Sequence, residues 1–268
     1  YSHVFVLPAE GGTPRQVTRG EFQHRGAPVW NRAGDSLFVV GNRVAGWERD
    51  PGESEIYRVS VETGDAVALT SRDGPDTNPQ LSPDGRLLAY TGFDDRKLGF
   101  HQSQLYVMDL KTGVSRELAE GFDHDVDGIA WDRDSRAIYF SYEHQGRGHI
   151  GWIPSAGGKV VEVADDFGGT AMGRPYGGGS FDVRNGRVVY TVERIDRPAD
   201  LAIVARGSKP RVLTDLNSDV LAHKQLGAVE SFWTKSLADG LDVQAWVVKP
   251  PQFEAGKAEV DKGEGVIT

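Results

Sequence analysis

The sequence predicts an all-β protein, a β-propeller built from four-stranded antiparallel blades. Short runs of alternating apolar and polar residues, typical of half-buried strands, recur along the chain. The 34 glycines and 13 prolines are spread through the sequence, which indicates many turns. The matched apolar residues Trp30, Leu81 and Trp131 lie 51 and 50 residues apart, close to the blade repeat of about 40–50 residues.

Each repeat contains four predicted strands in the same order. The first strand ends at Trp30, Leu81 or Trp131, and a polar turn leads to a second strand at 36–40, 87–91 or 137–142. The third strands are "EIYRVSV", "QLYVMDL" and "HIGWIPS", and the fourth strands are "DAVALTS", "VSRELAE" and "KVVEVAD". With a degenerate fourth copy, the predicted blades span about 26–74, 76–121, 123–167 and 178–217. One blade cannot bury both of its faces, so neighbouring blades must stack.

Both ends of the chain supply two further strands. "HVFVLPA" and "PRQVTRG" precede the first blade, while "VESFWTKS" and "LDVQAWVVKP" follow the fourth. We predict that residues 1–20 and 229–250 combine into one blade that closes a five-bladed ring, because open sheet edges promote aggregation. The alternative is an open arc that forms a homodimer through its free blade edges. Residues 251–268 form a polar tail that we expect to be disordered.

Composition excludes several classes of function. The net charge of −9 argues against binding to nucleic acid. The absence of cysteine excludes disulfides, zinc–thiolate sites and a cysteine nucleophile. No apolar run approaches the roughly 20 residues of a membrane span, and no signal peptide is visible in this chain. We therefore expect a soluble protein that makes no membrane contact, in the cytoplasm rather than outside it.

The repeats resemble the propeller of the prolyl oligopeptidase family, which includes dipeptidyl and acylaminoacyl peptidases. The matching stretches are "SPDGRLLAY" at 82–90 and "LYVMDLKTG" at 105–113. The segment "VESFWTKSLADGLDVQAWVVKPPQF" at 229–253 looks like the hairpin that leads, in that family, into a catalytic α/β-hydrolase domain. The resemblance covers nearly the whole chain up to about Gly256 and implies a propeller fold.

The nucleophile of that family would lie in a G-x-S-x-G turn. The sequence contains no such pentapeptide: "GGSFD" at Gly178 and "GVSRE" at Gly113 both fail at the fifth position. No residue of a Ser-His-Asp triad can be carried over, so we expect no serine peptidase activity from this chain alone. The first functional hypothesis is a truncated family propeller, lacking the hydrolase domain, that binds, gates or scaffolds a small ester or peptide ligand.

The second hypothesis is a metal-dependent hydrolase. His24, His124 and His223 lie 100 and 99 residues apart, the first two just before the first strand of a blade and His223 ahead of the terminal hairpin. Asp76 and Asp125 occupy similar places, and such loops gather at the mouth of a propeller channel. Imidazole and carboxylate ligands suit zinc, manganese or iron, which could activate water for ester or phosphoester hydrolysis. Alternatively, these side chains cap turns and face water.

Three further groups of residues receive predictions. The glycine-rich stretch 165–180 is an inter-blade connection that would lay Arg174 and Tyr176 over the channel as substrate contacts. His101, His144 and His149 are predicted to lie in surface loops. Five tryptophans at strand positions are predicted to pack between blades: Trp30, Trp131, Trp152, Trp233 and Trp246.

Overall fold

The computed structural model describes residues 1–170 and 177–253, and these form an antiparallel all-β structure. Two short strands come first, β1 (Phe5–Val6) and β2 (Arg15–Gln16). Blade 1 contains β3 (Gln23–Trp30), β4 (Ser36–Asn42), β5 (Glu55–Ser60) and β6 (Ala66–Ala68), with a 3-10 turn at Trp47–Arg49. Blade 2 contains β7 (Asp76–Leu81), β8 (Leu87–Gly92), β9 (Gln104–Asp109) and β10 (Ser115–Glu117).

The second half of the chain repeats this pattern. Blade 3 contains β11 (Asp127–Trp131), β12 (Ala137–His144), β13 (Arg147–Pro154) and β14 (Val161–Phe167). Blade 4 contains β15 (Phe181–Arg184), β16 (Arg187–Arg194), β17 (Arg197–Ala205) and β18 (Arg211–Val212). A helical turn, α1 (Ser218–Leu221), precedes the terminal hairpin of β19 (Val229–Lys235) and β20 (Asp242–Val248). The predicted order of strands within each repeat is thus confirmed.

Within each blade, consecutive strands pair antiparallel. Blades 3 and 4 are also joined, because Phe167 of β14 pairs with Val192 of β16. Along the middle strands of a blade, successive side chains point alternately towards the preceding and the following blade, because side chains alternate between the two faces of a strand. In β4, Leu37 packs towards the N-terminal strands, whereas Phe38 packs with Leu88 and Tyr90 of blade 2. Blades 1, 2 and 3 are therefore packed on both faces, whereas the described core residues of blade 4 pack only towards blade 3.

The blades are tied together at both ends of their strands. We call the end at which the first strand of each blade begins the entry face. There, the Asp76 amide donates to the Ser54 carbonyl at 2.7 Å, and the Val126 amide donates to the Ser103 carbonyl at 2.9 Å. At the opposite end, the Asp84 amide of blade 2 donates to the Ser135 hydroxyl of blade 3 at 3.0 Å. These links hold the first strands of successive blades in register.

The N-terminal strands form half of a blade. The His24 amide donates to the Ser2 carbonyl at 3.3 Å, at the same place as the Asp76–Ser54 bond one repeat later. By this equivalence β1 and β2 occupy the positions of a third and a fourth strand. Val4 and Val17, which flank them, are buried against blade 1.

The two terminal strand pairs are separate two-stranded sheets. No described strand of β1–β2 pairs with β19–β20, and the joint blade of residues 1–20 and 229–250 stays a prediction. Instead, the Trp246 indole lies 3.4 Å from the position that a Cβ on Gly146, at the tip of the β12–β13 hairpin, would take. The count of five blades stays a prediction, and most of the predicted tail, residues 254–268, lies outside the described residues.

The prediction for the tryptophans is right for Trp131, which is buried, and partly right for Trp152, which lies against the core of blades 3 and 4. It is wrong for Trp30, Trp233 and Trp246, which are 40–53% exposed. Among the described residues, no helix has the length and apolar character needed to cross a membrane.

Candidate functional site

A cavity of about 570 Å³ lies at the entry face between blades 3 and 4. Its walls come from the start of β11, the end of β12, the start of β13, the end of β14 and the chain leading into β15. The lining consists of acidic, aromatic and small residues: Asp125, Asp127, Gly128, Ile129, Ser141, Tyr142, Glu143, Gly148, Phe167, Gly178, Gly179, Ser180 and Phe181. Its volume falls in the range of small-ligand pockets.

Glycines allow the walls to approach one another. A Cβ on Gly148 would lie 2.0 Å from the Phe167 carbonyl oxygen, and one on Gly179 would lie 2.5 Å from the Phe167 ring. Gly128 has φ +43° and lies at a β-bulge between β11 and β12. A side chain at Gly148 would force β13 away from β14 within blade 3, and one at Gly128 or Gly179 would meet Phe181 or Phe167 and narrow the space between the blades.

Two of the carboxylates are held in place through one oxygen. Asp125 accepts a hydrogen bond from the Ser103 amide of blade 2 at 2.7 Å. Asp127 accepts one from the Gly128 amide at 2.8 Å. The third carboxylate, Glu143, is exposed at the end of β12. Among the described residues no lysine or arginine lines the cavity, so the described part of the lining carries a negative charge.

Beside the cavity is a cluster of three histidines. The Nε2 atom of His124 lies 2.8 Å from Nδ1 of His144, which allows one shared hydrogen bond. His149 is buried, stacks on the ring of Tyr142, and its Nδ1 lies 2.9 Å from a Glu162 carboxylate oxygen. The prediction of a surface loop is therefore wrong for His149, which lies in β13.

Burial and the neighbouring His144 ring lower the pKa of His124. Its Nδ1 atom is buried and has no hydrogen-bond partner among the described residues. His144 is exposed, as predicted, but it is the last residue of β12 and not part of a loop. His101 accepts a hydrogen bond from the Arg96 amide at 2.9 Å, in the segment between β8 and β9.

Both ring nitrogens of His24 make hydrogen bonds. Its Nδ1–H donates to the Ser2 carbonyl at 2.9 Å, and its Nε2 accepts from the Arg43 guanidinium at 3.0 Å. Burial, followed by the charge of Arg43, lowers the pKa of His24. A neutral imidazole with both nitrogens occupied fixes the half blade to blade 1 and has no lone pair for a metal.

Asp76 is almost fully buried between blades 1 and 2, with its carboxylate 3.0 Å from the Arg72 guanidinium. Burial outweighs this cation and raises the pKa of Asp76 to about 6. Burial also raises the pKa of Glu55, to about 7. The Thr70 hydroxyl lies beside both carboxyls and partly offsets both shifts. Sequence reasoning singled out Asp76 but missed Glu55, since only strand pairing brings the two carboxyls together.

The predicted metal ligands are not brought together by any contact among the described residues. His24 contacts Ser2 and Arg43, His124 contacts His144, and His223 is exposed just after α1. Residues 1–170 and 177–253 contain no group of three or more histidine or carboxylate side chains arranged to hold a metal ion. The metal-hydrolase hypothesis therefore gains no support. Arg174 and Tyr176, the predicted substrate contacts, lie outside the described residues.

Comparison with known proteins gives one family match. Residues 1–94 match the family described as the dipeptidyl peptidase IV N-terminal region. The chain is 26% identical to dipeptidyl-peptidase 5 of Porphyromonas gingivalis over 95% of its own length and 38% of that protein. The chain thus spans less than half the length of this relative.

Solved structures show the same fold. An acylaminoacyl peptidase of Pyrococcus horikoshii superimposes with a TM-score of 0.68 and 20% identity, covering 92% of this chain and 36% of that one. A putative TolB from Agrobacterium tumefaciens gives a TM-score of 0.58 and 22% identity, covering 79% and 73%. The β-propeller domain of a protease from Pyrococcus furiosus gives 0.50 and 16% identity, covering 72% and 58%.

Proposed function

We propose that the chain is a β-propeller domain of the prolyl oligopeptidase family and acts as a non-catalytic module that binds peptides at its entry face. The cavity between blades 3 and 4 carries this proposal, because it combines fixed carboxylates with aromatic walls. Its peptide-sized volume suits a short segment of chain rather than a folded partner.

We assign peptide cleavage, where it accompanies binding, to residues outside this sequence. The 268 residues contain no G-x-S-x-G turn, and no contact among the described histidines joins one to a serine or threonine hydroxyl within the cavity. In this proposal the propeller selects and admits a peptide but breaks no bond.

The proposal is tested by blocking the cavity. Ser180 is exposed at its rim, and its side chain has no hydrogen-bond partner among the described residues, so Ser180→Trp fills the space without removing a bond. Ser208→Trp is the matched control, since Ser208 is also exposed but lies in the β17–β18 turn at the opposite end of its blade. Binding of a blocked, mixed-sequence peptide library is measured by equilibrium dialysis and mass spectrometry.

We expect the wild type and Ser208→Trp to retain a subset of peptides intact, and Ser180→Trp to retain about tenfold less. Equal retention by the two variants would show that peptides bind elsewhere. Cleaved peptides, in a preparation free of contaminating protease, would show that the module is catalytic after all. Retention of no peptide by the wild type would end the proposal.

A further inference from the structure

The cavity between blades 3 and 4 has an unbalanced charge. Asp125 and Asp127 each use one carboxylate oxygen to accept a backbone amide, which leaves the second oxygen of each without a described partner. The Glu143 carboxylate makes no hydrogen bond or ion pair with any described residue. Three carboxylates at one small cavity repel one another, and a bound cation would relieve that repulsion.

An unpartnered hydroxyl on a largely buried residue gives a second and independent indication of a ligand. Ser141 is 8% exposed and lines the cavity, yet its hydroxyl has no hydrogen-bond partner among the described residues. A Cβ on Gly128 would lie 2.9 Å from this hydroxyl oxygen and 3.2 Å from the Phe181 ring. The missing side chain of Gly128 therefore leaves open space in front of the hydroxyl. Because the hydroxyl lines the cavity and has no described partner, it is available to a ligand.

Three aromatic rings also line the cavity. The rings of Phe167 and Phe181 lie edge to face with centroids 5.7 Å apart, and Tyr142 adds a third ring. Aromatic faces attract cations, and guanidinium groups stack on them more readily than ammonium groups do. A ligand that suits both the rings and the carboxylates carries a planar, delocalised positive charge.

We propose that this cavity binds an arginine side chain of a peptide. The guanidinium has five N–H donors in a rigid fork, enough to reach a carboxylate and the Ser141 hydroxyl together, while its flat face packs on an aromatic wall. Lysine offers a compact ammonium that matches the carboxylates but not the rings. This inference rests on the proposed function, because it specifies which peptides the module admits.

The test compares two peptides that differ only in charge. Calorimetric titrations use acetyl-Ala-Gly-Arg-Gly-Ala-amide and the same peptide with citrulline, the neutral isostere of arginine. Blocked termini ensure that the side chain carries the only positive charge. A charge-assisted hydrogen bond contributes about 1.5–3 kcal/mol, so we expect the citrulline peptide to bind at least about tenfold more weakly.

Variants locate the binding site. Asp127→Asn combined with Glu143→Gln keeps the shapes and the Gly128 contact but removes two charges, and should weaken arginine-peptide binding about tenfold or more. Ser141→Ala should weaken it about fivefold. Glu62→Gln is the control, because it removes one exposed carboxylate at the opposite end of blade 1 and should leave affinity unchanged.

The outcomes separate this inference from the proposed function. If both peptides bind equally well, or if the double variant binds the arginine peptide as the wild type does, the arginine site is refuted while peptide binding stands. If neither peptide binds at millimolar concentration and the mixed library is not retained either, both proposals fail. If Glu62→Gln weakens arginine-peptide binding as much as the double variant does, the effect comes from the overall charge of the protein and not from this cavity, and the arginine site is refuted.

Discussion

Two tryptophans at equivalent places in the repeat have opposite environments. Trp131 ends the first strand of blade 3, is 8% exposed, and donates from its indole nitrogen to the Gln80 carbonyl of blade 2 at 2.9 Å. Trp30 ends the first strand of blade 1 and is 47% exposed. The difference lies in the neighbour, because a complete blade precedes Trp131 and only β1 and β2 precede Trp30.

The comparison shows what determines burial in this fold. The residue type and its place in the repeat are the same, yet only the interface with a complete neighbour covers the indole. In the half blade, β1 and β2 occupy the outer positions and cover Leu37 and Val59. The two inner strand positions, which would cover Trp30, are not filled by any described strand.

The largest expected effect comes from removing each indole in turn. Trp131→Ala should lower the free energy of unfolding by about 3–5 kcal/mol, because it opens a buried cavity and leaves the Gln80 carbonyl without its partner. Trp30→Ala should lower it by less than about 1 kcal/mol. Denaturant unfolding measures both. A Trp30→Ala loss as large as that of Trp131→Ala would mean that Trp30 is covered in solution.

A second prediction concerns charge at the interface between blades 1 and 2. There the pKa of Glu55 is raised to about 7 and that of Asp76 to about 6, in both cases mainly by burial. Glu53 adds negative charge beside them and Arg72 adds positive charge. These charged groups lie beside an apolar core between blades 1 and 2, just as an apolar core fills the interface between blades 2 and 3.

The direction in which stability changes with pH follows from proton binding. A carboxyl whose pKa is higher in the folded state holds its proton there while the unfolded state loses it, so stability falls as pH rises from about 4.5 to 7. Glu55→Gln cannot ionise and should be about 1 kcal/mol more stable than the wild type at pH 8, after allowance for solvent screening, but not at pH 4. Thermal unfolding at both pH values measures this. An equal change at both would mean that Glu55 does not titrate in this range.

The repeat was enough to predict the fold because strand alternation and turn residues are local signals. The strands of blades 1 to 3 follow from the spacing of Trp30, Leu81 and Trp131. The cavity could not be predicted this way, since it depends on how closely Gly148 and Phe167 pack and on the bulge at Gly128. His149 was misplaced because its burial depends on pairing between β12 and β13, where it lies opposite Tyr142.

The smallest expected effect concerns the terminal hairpin. If β19 and β20 remain as the structure places them, with Phe232, Trp233 and Val248 more than half exposed, deleting residues 229–250 removes little buried surface from the blades. The free energy of unfolding should then change by less than about 1 kcal/mol, and quenching of Trp30 fluorescence, in a variant whose other tryptophans are phenylalanine, should be unchanged.

Closure of the ring predicts the opposite. If the hairpin fills the inner positions of the half blade in solution, its deletion exposes the open edge of β1 and uncovers Trp30. The truncated protein would then aggregate or lose several kcal/mol of stability, because a free sheet edge and an apolar face are both exposed. A matched control replaces the hairpin with a glycine–serine segment of equal length. A folded, soluble truncation with unchanged Trp30 quenching would rule out the hairpin as the closing element.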